Sequence, residues 1–353
     1  MEKALIAMSG GVDSSVAAYL TKNMGYDCIG CTMRLYNLHS ECSAEKSCCS
    51  LADVEDARSV SYRIGIPYYV FNFTIDFKKE VIDRFIKSYE SGATPNPCID
   101  CNRYLKFDRL YTRAKVLGCK YVVTGHYARI EHSGGRYLLK KAIDESKDQS
   151  YVLYSMTQEQ LAHTLFPLGD IKKTETREIA EENGFINAKK RDSYDICFVP
   201  GGDYGSVIEE ETGKNYPHGD FVDKNGNILG EHKGIIRYTI GQRRGLGLAL
   251  PYPMYVCEKR ISDNTVVLCR DEELYSKTLD ADDFNWIAFD KPPEKLTVKA
   301  KARYRQQEKQ ATVFPTGERT VHIEFDEPLR AISKGQAVVL YDGETVVGGG
   351  TIF

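Results

Sequence analysis

The residues most able to do chemistry in this chain are cysteines, of which there are eleven. Cys98 and Cys101 form a Cys-x-x-Cys pair in the segment Asn96-Pro97-Cys98-Ile99-Asp100-Cys101-Asn102-Arg103. Cys197 stands in Asp192-Ser193-Tyr194-Asp195-Ile196-Cys197-Phe198-Val199. The thiolate is the nucleophilic and metal-binding form of cysteine, so sulfur transfer, metal ligation and plain burial are the roles open to them. An odd count suits complete disulfide pairing poorly. Cys42, Cys48 and Cys49 lack the paired spacing of a zinc module and are read as a loop beside the active site. Cys28, Cys31, Cys119, Cys257 and Cys269 lie in apolar strand-like or helix-end contexts and are expected in the core.

The second chemical feature is a glycine loop, Ala7-Met8-Ser9-Gly10-Gly11-Val12-Asp13-Ser14, between an apolar run and a helical pattern. Glycines let backbone N–H groups reach phosphate oxygens, and the helix N-terminus adds partial positive charge. The loop is not a Walker A motif, because no Gly-Lys-Ser/Thr follows, and the dinucleotide pattern Gly-x-Gly-x-x-Gly is absent. A phosphate-bearing ligand is expected there. Asp13 in such a loop points to Mg²⁺, or to a donor network, between carboxylate and phosphate.

These residues must be positioned by an α/β domain. Strand and helix signals alternate over the first ~200 residues, which predicts a Rossmann-like fold with a parallel sheet. Helices are expected at Leu51–Ile64, over 77–89 and at Leu105–Leu117, and strands over 3–8, 28–35, 68–73 and 121–124. After Gly202 glycine-bearing turns separate short β runs, and from about Leu279 the pattern is all-β, with Asp342-Gly343 as a hairpin signal. The expected units are a catalytic domain over 1–202, a small middle domain over 203–277 and a C-terminal β-barrel over 278–353. No apolar run approaches the ~20 residues that cross a bilayer, and the chain runs from Met1 straight into the glycine loop, so a cytoplasmic, membrane-free location is expected. Net charge is −3, yet Lys299, Lys301, Arg303 and Arg305 alternate in one predicted strand. Such a strip, with Tyr304 beside it, would suit an RNA backbone.

The glycine loop resembles that of the N-type ATP pyrophosphatases, which split ATP between its α- and β-phosphates to adenylate an oxygen. The two cysteine segments narrow this. Together with Thr124-Gly125-His126-Tyr127-Ala128, Lys147-Asp148-Gln149-Ser150-Tyr151 and Tyr238-Thr239-Ile240-Gly241-Gln242-Arg243-Arg244-Gly245-Leu246-Gly247, they resemble the bacterial tRNA-specific 2-thiouridylase (MnmA/TrmU) family over nearly the whole chain. The resemblance implies adenylation of C2 of the wobble uridine in the tRNAs for Lys, Glu and Gln, then displacement of AMP by sulfur. It implies Cys197 as persulfide acceptor, fed by a cysteine desulfurase through a relay protein, and Cys101 as the partner that can close a Cys101–Cys197 disulfide. It implies adenosine contacts at Met33 and Gly125, and tRNA contacts at Asn96, Pro97, Cys98, His126, Lys147, Asp148, Gln149, Arg303, Tyr304 and Gln336. One position departs from the family pattern: Cys98 stands where Asp is usual, and no acid–base role is transferred to Asp100. Cys98, Cys101 and Cys197 could then hold a [4Fe–4S] cluster of the kind found in related thiolases, a second route for the sulfur. A ligase or amidase of a small metabolite is the more distant enzyme reading, and an ATP-sensing regulator the non-enzyme one.

Overall fold

The computed structural model describes residues 1–36, 51–192 and 196–353. Cys42, Cys48, Cys49 and residues 193–195 of the Cys197 segment lie outside the described residues.

The N-terminal part carries strands β1 (Lys3–Ala7), β2 (Asp27–Arg34), β3 (Tyr68–Asn72), β4 (Tyr121–Val123), β5 (Ala128–Ser133), β6 (Arg136–Lys141) and β7 (Thr164–Leu165). Five of them form a parallel sheet in the order β3-β2-β1-β4-β7. The central strand β1 is covered on both faces, with Ala4, Leu5 and Ile6 fully buried, which is why it reads as an unbroken apolar run. Helix α1 (Val12–Asn23) packs Val12, Val16, Ala17 and Ala18 against the sheet, and α2 (Leu51–Ile64) ends where Gly65 turns to a φ of +67°. The strand order reverses at β1, whose neighbours are β2 and β4. The carboxyl ends of β1 and β4 therefore frame the crevice in which open α/β sheets bind ligands.

One helix departs from expectation in a way that matters. Periodicity predicts it at Leu105–Leu117, after the cysteine pair. The structure starts it at Pro97 and runs it through a π-helical stretch, Cys101–Arg109, to Val116. Asn96 caps it, its side chain accepting from the Cys98 N–H at 3.1 Å, and Pro97 occupies the first turn. Cys98 and Cys101 thus ride on a helix and not on a loop. The π-helical widening starts at Cys101 itself, a kind of distortion common at functional sites.

The middle domain holds β8 (Gly219–Val222), β9 (Ile228–His232), β10 (Tyr255–Arg260) and β11 (Thr265–Cys269), ordered β10-β11-β8-β9. Its core is continuous with the first domain's: Phe221, Ile236, Val256 and Leu268 share one cluster with Phe77, Phe85 and Phe198. The C-terminal strands are β12 (Tyr275–Trp286), β13 (Leu296–Lys301), β14 (Lys309–Pro315), β15 (Val321–Arg330), β16 (Ala337–Asp342) and β17 (Thr345–Ile352). They run β12-β15-β14-β13-β16-β17, and a β12–β17 pairing closes the six-stranded barrel. The β5–β6 hairpin, unanticipated from sequence, extends the same sheet through β17, so the first domain is hydrogen-bonded into the barrel. Among the described residues no helix is long and apolar enough to cross a membrane.

Candidate active site

The glycine loop sits at the carboxyl end of β1. Its first turn is drawn tight by serines: Ser14 Oγ accepts from the Ser9 N–H at 3.1 Å and donates to Gly11 O at 3.0 Å. Gly11 caps α1 in extended conformation with no side chain satisfying the helix's first N–H groups, which leaves those donors for an anion. Gly10 has a φ of +76°, and a Cβ there would lie 2.3 Å from Asp53 O. Gly125, after β4, packs equally close: a Cβ would meet Ser14 N at 2.7 Å and the Asp13 carbonyl carbon at 2.8 Å. Gly10 thus packs bare against the backbone of α2 and Gly125 against the first turn of α1, and a side chain on either would push backbone aside.

A charge network flanks the loop. Asp13 Oδ1 accepts from Lys173 Nζ at 2.6 Å and from the Tyr127 hydroxyl at 2.9 Å. Lys173 opens helix α3 (Lys173–Glu182) and also pairs with Asp192 at 2.8 Å, as do Lys147 at 2.8 Å and Arg177 at 2.9 Å. Burial alone would raise the Asp192 carboxyl, but Lys147 and Lys173 outweigh it and hold it at about 2. Behind the loop, Asn187 and Lys190 donate to Gly10 O at 2.9 and 3.2 Å, and Lys190 is held by Asp53 and Asp56, each at 2.6 Å. Lys173, Asn187 and Lys190 were not singled out from sequence, and Tyr127 and Asp192 stood only inside distinctive segments, with no role given to them. Their roles are set by α3 and the turns around it, which come to the loop only by folding. Ser9 is exposed, whereas Met8, Val12 and Ser14 are buried; Met8 is tied down by the Ser61 hydroxyl on its Sδ at 3.1 Å.

Cys101 and Cys197, far apart in sequence, are both half-buried against the core cluster that takes in Met33, Phe77, Phe85 and Phe198. Phe198 anchors its neighbour Cys197 by edge-on packing with Phe85 and Phe77, ring centroids 5.2 and 5.6 Å apart. Cys98 is exposed on the helix start, facing the barrel near Tyr304. Among the described residues no three His, Cys, Asp or Glu side chains are gathered into a metal-holding group. The other described cysteines fit core roles: Cys28, Cys31, Cys119 and Cys269 are buried and Cys257 half-buried, and burial raises the pKa of all five, to about 11 in Cys28 and about 12 in Cys269.

The segment before Cys98 is gripped by both other domains. Thr94 donates from its N–H to Lys334 O at 2.8 Å and accepts at its carbonyl from Gln336 Nε2 at 2.7 Å. Lys259 Nζ reaches Ala93 O at 3.4 Å, and burial lowers the pKa of that lysine to about 8. Beyond Cys101, Arg103 forms a two-pronged ion pair with Asp283 of the barrel, which also binds Arg319. Asp283 sits at a bulge of β12 with a φ of +47°, a conformation rare outside glycine that turns its carboxylate toward the helix.

The tRNA-contact candidates divide between inward and outward positions. Tyr304 is exposed, its hydroxyl donating to Asp148 O at 3.1 Å. Gln336 is engaged with Thr94, as above. Asp148 accepts from the Ala142 and Ser150 N–H groups, and Gln149 Oε1 accepts from the Tyr127 N–H, so both brace the turn leading to Tyr151. His126 is buried beside Phe107 and Phe166 with Nδ1 2.7 Å from the Thr124 hydroxyl, and burial holds its pKa well below the ordinary value. The expected basic strip does not form. Its strand ends at Lys301, which is buried over the rings of Tyr151 and Tyr341, and Arg303 turns inward to Ile240 O, Ala331 O and Ser333 Oγ. The chain bends after 301, which breaks the two-residue alternation on which the strip depended.

Asp100 supplies a pH-dependent prediction. Burial raises its carboxyl from 3.8 to about 6, against the pull of Arg84 and Arg103. The raised folded-state pKa favours the protonated acid, so its stabilising effect is complete below pH 4 and lost as pH rises through 6. Asp100→Asn should therefore raise the melting temperature at neutral pH, by an amount equivalent to about 3 kcal/mol at most, with no gain below pH 4. An equal gain at both pH values would refute the buried-acid account.

Profiles of three protein families match the chain in succession. Those described as tRNA methyl transferase HUP domain, tRNA methyl transferase PRC-barrel domain and Aminomethyltransferase beta-barrel domain cover residues 2–201, 205–270 and 276–352. The fold and the glycine loop thus define a HUP-domain α/β enzyme carrying two appended β domains. The tRNA-specific 2-thiouridylase MnmA of Clostridioides difficile strain 630 is 54% identical, over 99% of this chain and 98% of that one. The proteins of that name from Clostridium acetobutylicum and Acetivibrio thermocellus are 52% and 50% identical, each over 99% of both chains. This chain belongs to the tRNA-specific 2-thiouridylase family.

Proposed function

We propose that this enzyme is a tRNA sulfurtransferase that converts the wobble uridine of the tRNAs for Lys, Glu and Gln to 2-thiouridine, consuming ATP. The observation that supports the reading is that Cys101 and Cys197, far apart in sequence, both pack on the core cluster that Leu5 of β1 and Met33 of β2 enter, in the domain that carries the glycine loop. ATP lies over Ala7, Met8, Ser9, Gly10, Gly11, Val12, Asp13 and Ser14, with Met33 and Gly125 on the adenosine side. Mg²⁺ is held chiefly by phosphates with one or two carboxylates; Asp13 is the loop carboxylate that would share it, and the ion would neutralise phosphate charge.

The chemistry balances as follows. The uridine O2 attacks the α-phosphate, pyrophosphate leaves, and a poor leaving oxygen becomes AMP. A persulfide on Cys197, loaded by a relay protein or cysteine desulfurase, attacks C2 through its terminal sulfur and expels AMP. The Cys101 thiolate then attacks Cys197 Sγ, which breaks the S–S bond, frees the thiouridine and leaves a Cys101–Cys197 disulfide for a dithiol reductant to reset. Cys98, Asn96, Pro97, His126, Lys147, Asp148, Gln149, Arg303, Tyr304 and Gln336 surround or brace the tRNA's place, with Cys98 and Tyr304 on the outside. The three units assigned to residues 1–202, 203–277 and 278–353 would each supply part of that wall.

The direct test is mass spectrometry of tRNA from a strain lacking this gene. Loss of 2-thiouridine at the wobble position, restored by the gene, is expected. Unchanged 2-thiouridine would overturn the assignment.

A further inference from the structure

The proteins of this family act on tRNA, and the surface meant to hold the RNA backbone is not where the sequence pattern put it. Among the described residues, Arg191, Arg243, Arg244 and Arg305 are the arginines in no ion pair, side-chain hydrogen bond or cation–π contact. Arg243 and Arg244 stand together, both exposed, in the middle-domain loop between Ile240 and Leu246. From Lys233 to Cys257 the chain carries no acidic residue at all, although its net charge is −3.

The loop is built and not slack. Gly241, Gly245 and Gly247 all have φ near +80° (+87°, +77° and +72°), which other residues adopt at a cost. Gln242 staples it from within, its Oε1 accepting from the Thr239 N–H at 3.0 Å and its Nε2 donating to Arg244 O at 3.1 Å. Gly241 and Gln242 exchange backbone hydrogen bonds with Val256 at 2.7 and 2.9 Å. A solvated charged turn requires none of this fixing.

The loop also leans on the wall around Cys98. Ile240 O accepts from Arg303 Nη2 at 3.1 Å, and Gly241 lies so close to the barrel that a Cβ would come within 2.8 Å of Ala331 Cβ. Arg303 binds Ser333 Oγ at 2.7 Å, and the turn from Ser333 to Gln336 is the one that grips Thr94. Tyr304 and Arg305 follow Arg303, and Tyr304 is close enough to Cys98 and Arg305 for their charges to act on its hydroxyl. A polynucleotide that delivers one base toward Cys101 and Cys197 must lay neighbouring phosphates across this rim. Guanidinium groups match phosphate oxygens in a two-pronged fashion.

We propose that Arg243 and Arg244 hold backbone phosphates of the tRNA substrate, an inference that rests on the tRNA reading above and assigns it a contact on the middle domain. These contacts are blind to base sequence, so they set affinity and orientation while the cysteine site sets chemistry.

The test measures binding of unmodified substrate tRNA to the full-length wild type, Arg243→Ala/Arg244→Ala and Arg243→Lys/Arg244→Lys over a range of salt concentrations. Loss of two phosphate contacts should lower the slope of log affinity against log salt by about two. The alanine pair should weaken binding by about tenfold or more at low salt, with ATP affinity and melting temperature unchanged, and the lysine pair should recover most of the loss. Equal slopes and affinities for wild type and the alanine pair would overturn the proposal while leaving the function intact. No salt-dependent tRNA binding by the wild type would overturn both. If the alanine pair bound tRNA normally but accepted sulfur poorly from a donor protein, the loop would be a protein contact and the phosphate assignment would fall.

Discussion

Cys197→Ser is expected to abolish 2-thiouridine formation, by roughly a thousandfold or more, while ATP still binds. A serine hydroxyl can neither carry a persulfide nor ionise near neutral pH, so the sulfur has no carrier. The fold around it should survive. Phe198, not Cys197, carries the packing, wedged between the rings of Phe77 and Phe85, and Val199 is fully buried beyond it. Single-turnover thiolation with a persulfide-loaded donor, set beside ATP titration, is the measurement. Activity close to wild type would remove Cys197 from the reaction. Cys101→Ser should fail differently. With the resolving thiol gone, the Cys197–S–S–C2 linkage cannot open, and tRNA should accumulate covalently on the protein, to be released by a dithiol reductant. If neither variant traps tRNA and both turn over, the persulfide sequence is wrong.

Gly125→Ala is expected to lower ATP affinity by about a hundredfold and to destabilise the nucleotide-free enzyme by about 1–3 kcal/mol. Its Cβ would lie 2.7 Å from Ser14 N and 3.0 Å from Asp13 O. Both are backbone atoms of the first turn of α1, so no side chain can swing aside. Either the end of β4 or the start of α1 must shift, and the N–H groups of that turn are the ones aimed at phosphate. The loss of affinity should appear in equilibrium nucleotide binding and in the ATP KM at temperatures well below the variant's lowered melting temperature. Normal ATP affinity in the variant would show that the close approach of these two backbones lies outside the nucleotide site.

The parts of the site visible in the sequence are those where one short segment does the whole job. Ser9–Ser14 needs only a strand before it and a helix after it, and β1 and α1 supply both at the positions expected. Cys101 and Cys197 stand out in the sequence because their segments are distinctive. Lys173 and Asp192 were not, since a lysine at a helix start and an aspartate in a turn resemble any solvated surface until Asp13 and Lys147 come to meet them. The basic strip failed for a related reason. Alternation along 299–305 holds only while the strand continues, and the bend after Lys301 sends Arg303 into the joint between the middle domain and the barrel.

Local chemistry in the sequence determined the α/β class, the glycine loop after the first strand, the closed barrel that follows and the two distinctive cysteine segments. These depend on periodicity, turn residues and short motifs, which act over a few residues. Tertiary structure alone decided what surrounds them: that Gly125 closes on Asp13, that Lys173 and Tyr127 occupy the Asp13 carboxylate, and that Cys98 begins a helix held by Gln336, Lys334 and Lys259. It also decided that Cys101 is followed by an arginine locked to Asp283 across a domain boundary. Those are contacts between segments separated by scores of residues, and the burial and hydrogen bonding that select them exist only once three domains have packed together.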